Sequence, residues 1–198
     1  MSVKVLIGCE FSGRVRDAFT KLGIEAWSCD LLDTEAPGNH YQCDIRDILD
    51  RGWDLMIAHP PCTHLASSGA RWFKYKQTEQ QQAIAFVKLL MAAPIPRIAI
   101  ENPIGILSRE IRKPEQIIQP WQFGHPETKA TCLWLKNLPK LKPTNIVTLP
   151  DNKLERMRIH YLPPGPNRWK IRSLTYTGIA EAMAQQWSKD LQGCYDLK

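Results

Sequence analysis

Short apolar runs alternate with amphipathic segments through the first hundred residues. Val3 to Ile7 is rich in β-branched residues and stops at Gly8, which predicts a strand and a turn. In the segment that follows, Val15, Ala18, Phe19 and Leu22 share one face at helical spacing, and Gly23 stands where a helix C-cap is expected. Ile24 to Cys29 predicts a second strand closing on Asp30, Tyr41 to Cys43 a short third, and Trp53 to Ala58 a fourth. Gln80 to Ala93 predicts a helix with Ile84, Val87, Leu90 and Met91 on its apolar face, ended by Pro94 and Pro96; Arg97 to Ile100 predicts a fifth strand. Strands alternating with helices in this way predict an α/β fold, a doubly wound and mostly parallel sheet with helices on both faces.

Beyond Asn102 the texture changes. Gln116 to Gln119 and Thr131 to Leu135 predict two further strands, and Thr177 to Leu191 a last helix, apolar at Ile179, Ala182, Met183 and Trp187. Residues 66–79 show no clean period and read as a mobile loop hinged at Gly69. Residues 136–171 are polar and rich in proline and read as an irregular, basic insertion with little secondary structure. The 198 residues, 43% of them hydrophobic, suit one domain over 1–198 with a single large core. No apolar run approaches the roughly 18 residues of a membrane span, and the opening Met-Ser-Val-Lys-Val enters a strand, so a soluble, cytoplasmic protein is expected. Cys9, Cys29, Cys43, Cys62, Cys132 and Cys194 are therefore read as reduced. No CxxC or HxxxH spacing occurs, and His59 and His64 flank Cys62 without a fourth ligand nearby, so no metal is expected.

The net charge of +6 is placed unevenly. Residues 1–100 carry eleven Lys and Arg against eleven Asp and Glu, whereas residues 101–198 carry fifteen against nine. A basic half joined to a neutral half is what a polyanion-binding face needs. Candidate contacts are Arg71, Trp72, Lys74 and Lys76 in the loop, with Lys129, Arg156, Arg158, Arg168, Lys170 and Arg172 in the basic half.

The chemistry concentrates at two strand ends. His59-Pro60-Pro61-Cys62-Thr63 sets a thiol on a stiff turn directly after the fourth strand, and Glu101-Asn102-Pro103 sets a carboxylic acid after the fifth. Cytosine C5 is a poor nucleophile until something adds to C6, and a Cys62 thiolate can do so. The ring then needs a proton or a strong hydrogen bond at N3, which a protonated Glu101 in a partly apolar pocket would provide. The first turn, Gly8-Cys9-Glu10-Phe11-Ser12-Gly13, is not a GxGxxG pattern. Glu10 would repel a pyrophosphate, Arg14 and Arg16 can face solvent, and a ligand joining an amino acid to adenosine suits the turn better. Asp30, after the second strand, is available to a ribose; Asp44, after the third, is a ligand contact or a helix cap.

These segments resemble the motifs of the DNA (cytosine-5)-methyltransferases, of the short type often encoded in phage genomes. Pro61-Cys62-Thr63-His64-Leu65 resembles the family's Pro-Cys-Gln nucleophile motif, and Glu101-Asn102-Pro103 its Glu-Asn-Val motif. Phe123-Gly124-His125-Pro126-Glu127-Thr128-Lys129-Ala130-Thr131 resembles the Phe-Gly-x-Pro-Gln-x-Arg-x-Arg segment. Thr177 to Ala184 resembles the closing helix that opens on a glycine, Gly178, and returns to the cofactor. The resemblance covers most of 3–135 and 172–187 and implies a Rossmann-like methyltransferase fold with S-adenosylmethionine as donor. It implies that Gly8, Phe11, Ser12 and Gly13 line the methionine end, that Asp30 and Leu31 meet the ribose, and that Asp44 and Ile45 meet the adenine. Pro60 and Gly178 complete that site. It makes Cys62 the nucleophile and Glu101 the contact to N3, supported by Asn102, with Lys129 in place of the first Arg.

Glu10, Ala66 and Thr131 depart from the family's pattern, and residues 136–171 are too few for its separate target-recognition domain. Duplex DNA with a flipped cytosine is the expected partner, met in the host cytoplasm if the gene is carried by a phage. RNA, a free pyrimidine nucleotide, or a non-catalytic role in binding DNA remain as alternatives.

Overall fold

In a computed structural model of the chain, residues 3–192 are described. Seven strands form one sheet: β1 (Lys4–Gly8), β2 (Glu25–Asp30), β3 (His40–Gln42), β4 (Leu55–Ala58), β5 (Arg97–Pro103), β6 (Gln116–Ile118) and β7 (Thr131–Lys136). Their spatial order is β3-β2-β1-β4-β5-β7-β6. The first five run parallel, and β7 and β6 close the edge antiparallel. The order reverses at β1, with β2 on one side and β4 on the other, so the crevice expected of an open parallel sheet lies beyond the ends of these strands.

Side-chain alternation splits the core into two layers. On one face Val5, Ile7, Leu55, Ile57, Ala99, Leu133 and Leu135 pack against α1 (Arg14–Thr20) and α7 (Thr177–Gln192) through Val15, Phe19, Ile179, Met183 and Trp187. On the other face Leu6, Met56, Ala58, Ile98, Ile100, Cys132 and Trp134 meet Ile84, Val87 and Leu90 of α2 (Gln77–Met91). Central strands buried on both faces read as continuous apolar runs, which is why β1, β4 and β5 stand out in the sequence. The ammonium of Lys136 donates to the carbonyls of Ala93 (3.4 Å) and Ile95 (3.0 Å), fastening the α2–β5 connection to β7.

Three expectations change. Residues 67–75 form a 3-10 helix instead of a loop without structure. Its root is held: Ser67 N–H donates to Ile104 O (3.0 Å), Ile106 N–H donates to Leu65 O (2.9 Å), and Ala66 bridges Gly105. These anchors lie forty residues away in the chain, beyond the reach of a local period. Residues 136–171 contain α4 (Lys153–Arg156), α5 (Arg158–Tyr161) and the start of α6 (Arg168–Ser173), each too short to show an amphipathic repeat; α3 (Leu107–Glu110) was missed for the same reason. Finally, β5 continues through Glu101, Asn102 and Pro103, which pair with Leu133, Cys132 and Thr131, so Glu101 and Asn102 stand on rigid strand.

Arg16 does not face solvent. Its side chain is 1% exposed, and its guanidinium donates to Asp17 Oδ1, Ser28 Oγ, Thr34 Oγ1, Ala36 O and Pro37 O at 2.8–3.2 Å. It binds the segment after β2 to α1. No helix among the described residues is long and apolar enough to cross a membrane.

Candidate active site

Because β4 and β5 lie side by side and parallel, their carboxyl ends bring the Pro60-Pro61-Cys62 turn and the Glu101-Asn102 pair to one edge of the sheet. His59 N–H donates to Gly8 O at 2.9 Å, tying this edge to the end of β1. Asn102, 1% exposed, donates from Nδ2 to Pro60 O at 2.8 Å. Nδ1 of His59 lies 3.2 Å from Oε2 of Glu101. The carbonyl of Cys62 accepts from the Leu65 and Ala66 amides at 3.0 and 2.9 Å, a tight turn that leaves Cys62 exposed.

Lys129, just before β7, completes the cluster. Its ammonium donates to Arg172 O (2.8 Å) and Leu174 O (3.4 Å) and lies 5.8 Å from the centre of the Tyr176 ring. Glu101 and Lys129 line a small cavity with Thr131, Ser173, Thr175, Tyr176 and Ile179. On the other side of the nucleophile turn, Thr63, His64, Gly69, Phe73 and Lys76 line a cleft of about 300 Å³.

The charges of these groups depend on one another. Although Cys62 is exposed as a residue, desolvation by the groups packed around it pushes its thiol up, the Glu101 carboxylate adds to that, and Lys129 and Arg172 pull it part of the way back. At rest near neutral pH Cys62 is therefore mainly thiol. Burial also pushes Glu101 up, but the hydrogen bond and charge of His59 and the charge of Lys129 outweigh it and hold the carboxyl below its ordinary range. Glu101 is therefore ionised at rest, not the protonated acid expected from an apolar pocket. Burial lowers Lys129, with Glu101 and Cys62 opposing.

At the ends of β1 to β3 the first turn has a different logic from the one expected. Glu10 is 5% exposed and points inward: Oε1 accepts from Val15 N–H at 2.7 Å and Oε2 from Arg16 N–H at 3.2 Å. It caps α1, and its charge is not presented to a ligand. Ser12 donates to the same carboxylate at 3.4 Å. Gly13 caps α1 at φ +71°, where an added Cβ would strike the Arg16 guanidinium. Gly8 lies beneath Ile45, and Phe11 is buried against Trp169, their ring centres 5.8 Å apart.

Asp30 uses Oδ1 to accept from Leu32 N–H at 3.0 Å, and the neighbouring Leu31 side chain is 71% exposed. Asp44 is the N-cap of a 3-10 turn over Ile45–Asp47 and an ion-pair partner of Arg46, which holds its carboxyl down at about 2. Gly178 opens α7, where its amide donates to His125 Nε2 at 3.1 Å and an added Cβ would collide with Phe123 O. Two buried polar atoms have no hydrogen-bond partner among the described residues, His59 Nε2 just after β4 and Asn102 Oδ1 near the end of β5. With Glu10 turned inward, the Asp30 carboxylate beside an exposed Leu31 and the two unpartnered polar atoms fit a nucleoside joined to an amino acid better than a phosphate, which Asp30 would repel.

The basic candidates divide. Arg71, Lys74 and Lys76 are exposed on the 3-10 helix over 67–75 and at its end, with Lys74 resting over the Tyr75 ring; the Trp72 side chain, like Cys194, lies outside the described residues. Arg168 donates to Leu162 O (2.8 Å), Lys170 pairs with Glu35 (2.9 Å), and Arg172 donates to Ile159 O (3.4 Å). These three stitch the insertion together and onto the first-turn side of the sheet. His59 was passed over as a possible metal neighbour; its position directly between an apolar strand and Pro-Pro was the available signal. Among the described residues no group of three or more His, Cys, Asp or Glu is placed to hold a metal ion.

No family model matches the chain, and no curated protein matches it. Among solved structures it is similar to a putative DNA modification methyltransferase encoded within an E. coli prophage, at 16% identity and a TM-score of 0.51, over 76% of this chain and 56% of that one. An Entamoeba histolytica methyltransferase aligns at 17% identity and TM-score 0.47, over 84% and 62% of the two chains. The S. pombe Dnmt2 methyltransferase aligns at 18% and 0.46, over 71% and 51%. The chain thus spans less than two thirds of each of these proteins. At such identities the likeness is one of fold, and the fold is the Rossmann-like one of the methyltransferases.

Proposed function

We propose that this protein transfers a methyl group from S-adenosylmethionine to C5 of cytosine in DNA, with Cys62 as nucleophile. The observation that carries the reading is the joining of the two strand ends: the Asn102 amide holds the Pro60 carbonyl at 2.8 Å, so the thiol turn and the Glu101 carboxylate form one rigid unit. The side chains of Asp30, Leu31, Phe11 and Ser12 and the turn around Asp44 would hold the donor. Bound S-adenosylmethionine supplies an electrophilic methyl group for C5.

The chain's own residues prepare and then release the base. The Sγ–H bond of Cys62 breaks, its proton leaving to water, and the thiolate bonds to C6; the electrons of the C5–C6 double bond shift through the ring while N3 takes a proton from the Glu101 carboxyl. After C5 is substituted, its proton leaves to water, the Sγ–C6 bond breaks, and the N3 proton returns to Glu101. Since Cys62 is mainly thiol at rest, its ionisation depends on Lys129 and Arg172, the two cations that lower it. Arg71, Lys74 and Lys76, exposed beside the cleft at Thr63 and His64, would meet phosphates.

One observation favours a second substrate, RNA or a free nucleotide. The insertion packs back on the sheet body through Trp169 on Phe11 and Lys170 on Glu35 instead of standing apart as a unit for reading a DNA site. Methylation of duplex DNA, tRNA and dCMP, followed by mass analysis of the nucleosides, separates these substrates. The reading predicts 5-methylcytosine in DNA, lost in Cys62→Ala. Methyl transfer to dCMP or tRNA alone would replace the substrate, and no 5-methylcytosine from any of the three would end the proposal.

A further inference from the structure

Glu101 is ionised at rest, yet the reaction asks it for a proton. The group placed to supply that proton is His59, which opens the nucleophile turn and has been given no chemical role so far. Its side chain is 9% exposed, its Nδ1 is 3.2 Å from Glu101 Oε2, and its amide is pinned to Gly8 O at 2.9 Å. The ring is therefore fixed at both its backbone and its carboxylate. Nε2 is buried and has no partner among the described residues, so Glu101 is the side chain with which the ring can exchange a proton directly.

We propose that His59 is the positioning residue that holds Glu101 and stores the proton Glu101 delivers to N3. This inference rests on the cytosine-5 reading of the site. When the ring carries a proton, the 3.2 Å contact between Nδ1 and Glu101 Oε2 shares it between imidazole and carboxylate. When Sγ adds to C6, the Nδ1–H bond breaks, the proton passes to the Glu101 carboxyl, and Glu101 gives a proton to N3, leaving His59 neutral and Glu101 ionised. The N3 proton travels back by the same route on elimination, so the cycle closes with no proton gained or lost by the pair.

The surroundings bias this exchange from every side. Glu10, just beyond the end of β1, lies near enough for a charge on His59 to act on it. Lys129 acts on Glu101 and favours the carboxylate, and Cys132 of β7 is coupled to Glu101 in turn. Cys62 and Arg172 complete the charged groups around the carboxylate and the thiol. A base entering this space displaces water and weakens the charge-separated form relative to neutral imidazole and carboxylic acid, which moves the proton to where N3 needs it.

The test uses DNA bearing 5-fluorocytosine and the full chain with S-adenosylmethionine, and measures the rate of covalent adduct formation from pH 5.5 to 8.5 in wild type and His59→Asn. Asn can keep a donor near Nδ1 but cannot titrate. The expected result is a loss of tenfold or more at pH 7.5 that shrinks as pH falls toward the range where Glu101 can be protonated directly. An equal rate in the two proteins, or a ratio that stays constant with pH, overturns the proton-storing role. Should His59→Asn fail to fold, His59→Ala carries the test through rescue: imidazole restores the rate, and pyrazole, of the same shape but far less basic, does not. Restoration by both overturns the proposal. Absence of any adduct in wild type is the separate result that removes the cytosine-5 reading itself.

Discussion

Replacing Arg16 by Met removes a buried guanidinium while roughly conserving the volume of its stem. Five hydrogen bonds go with it, to Asp17, Ser28, Thr34, Ala36 and Pro37. Ser28 and Thr34 have other partners, in His40 Nδ1 at 2.8 Å and Ala36 O at 2.9 Å, so their loss is partial. The Ala36 and Pro37 carbonyls are part of a segment, residues 31–39, that follows the Asp30 strand end and has few apolar anchors of its own. Asp17 is 39% exposed and can turn to water, which moderates the penalty for stranding its charge. Breaking a buried, hydrogen-bonded ion pair costs roughly 3–5 kcal/mol, and the discount for Asp17 puts the expected loss at the lower end, about 3 kcal/mol. For a chain of this size that is a fall in Tm of roughly 6–12 °C. Urea unfolding followed by tryptophan fluorescence gives the free energy, and calorimetric titration with S-adenosylmethionine is expected to show weakened binding because the segment beside Asp30 loosens. Arg16→Lys, which restores a charge without the fork, is expected to recover less than half of the loss. A change below about 1 kcal/mol in Arg16→Met would refute the reasoning, since surface substitutions alone reach about half that.

Three further perturbations probe other joints. Asn102→Ala removes the bond to the buried Pro60 carbonyl and is expected to cost about 1–3 kcal/mol in urea unfolding, together with a larger loss of methyl transfer than stability alone explains. Lys129→Gln removes a charge that lowers the Cys62 thiol, so iodoacetamide alkylation of Cys62 at pH 8 should slow, by up to about tenfold if the shift is one pKa unit. His125 is held neutral, burial lowering its pKa, and its Nε2 accepts from Gly178 N–H at the start of α7. The unfolded chain therefore takes up this proton at higher pH than the folded one. The stabilisation is full above the ordinary histidine range near 6.5 and is lost as pH falls from there through the lowered folded value. The difference in urea midpoint between wild type and His125→Gln, which keeps an acceptor, should shrink on the acid side, and a difference independent of pH would contradict the assignment.

What could be read from the chain divides along physical lines. β1, β4, β5, α2 and α7 declare themselves because each is buried along a continuous run or one clear stripe. Cys62 and Glu101 follow directly from where those strands stop. Arg16 could not be read, since a polar residue on a short helix looks the same whether it meets water or five acceptors supplied by a later loop. Glu10 was misjudged for the same reason: its partners are backbone amides five and six residues on, which a charge count does not show. The protonation of Glu101 was misjudged because His59 and Lys129, distant in sequence, outweigh the burial that the local pattern implies. The helix over 67–75 and those within 136–171 are too short, or too dependent on distant anchors, to carry a period.

The central claim is that Cys62 attacks C6 of cytosine. It is tested most directly by incubating the protein with S-adenosylmethionine and duplex DNA containing 5-fluorocytosine, then digesting and sequencing any covalent complex by mass spectrometry. The fluorine blocks release of the C5 substituent, so the reading predicts a stable adduct mapped to Cys62 and absent from Cys62→Ala. An adduct mapped to another cysteine, or methylated DNA formed equally well by Cys62→Ala, would contradict it.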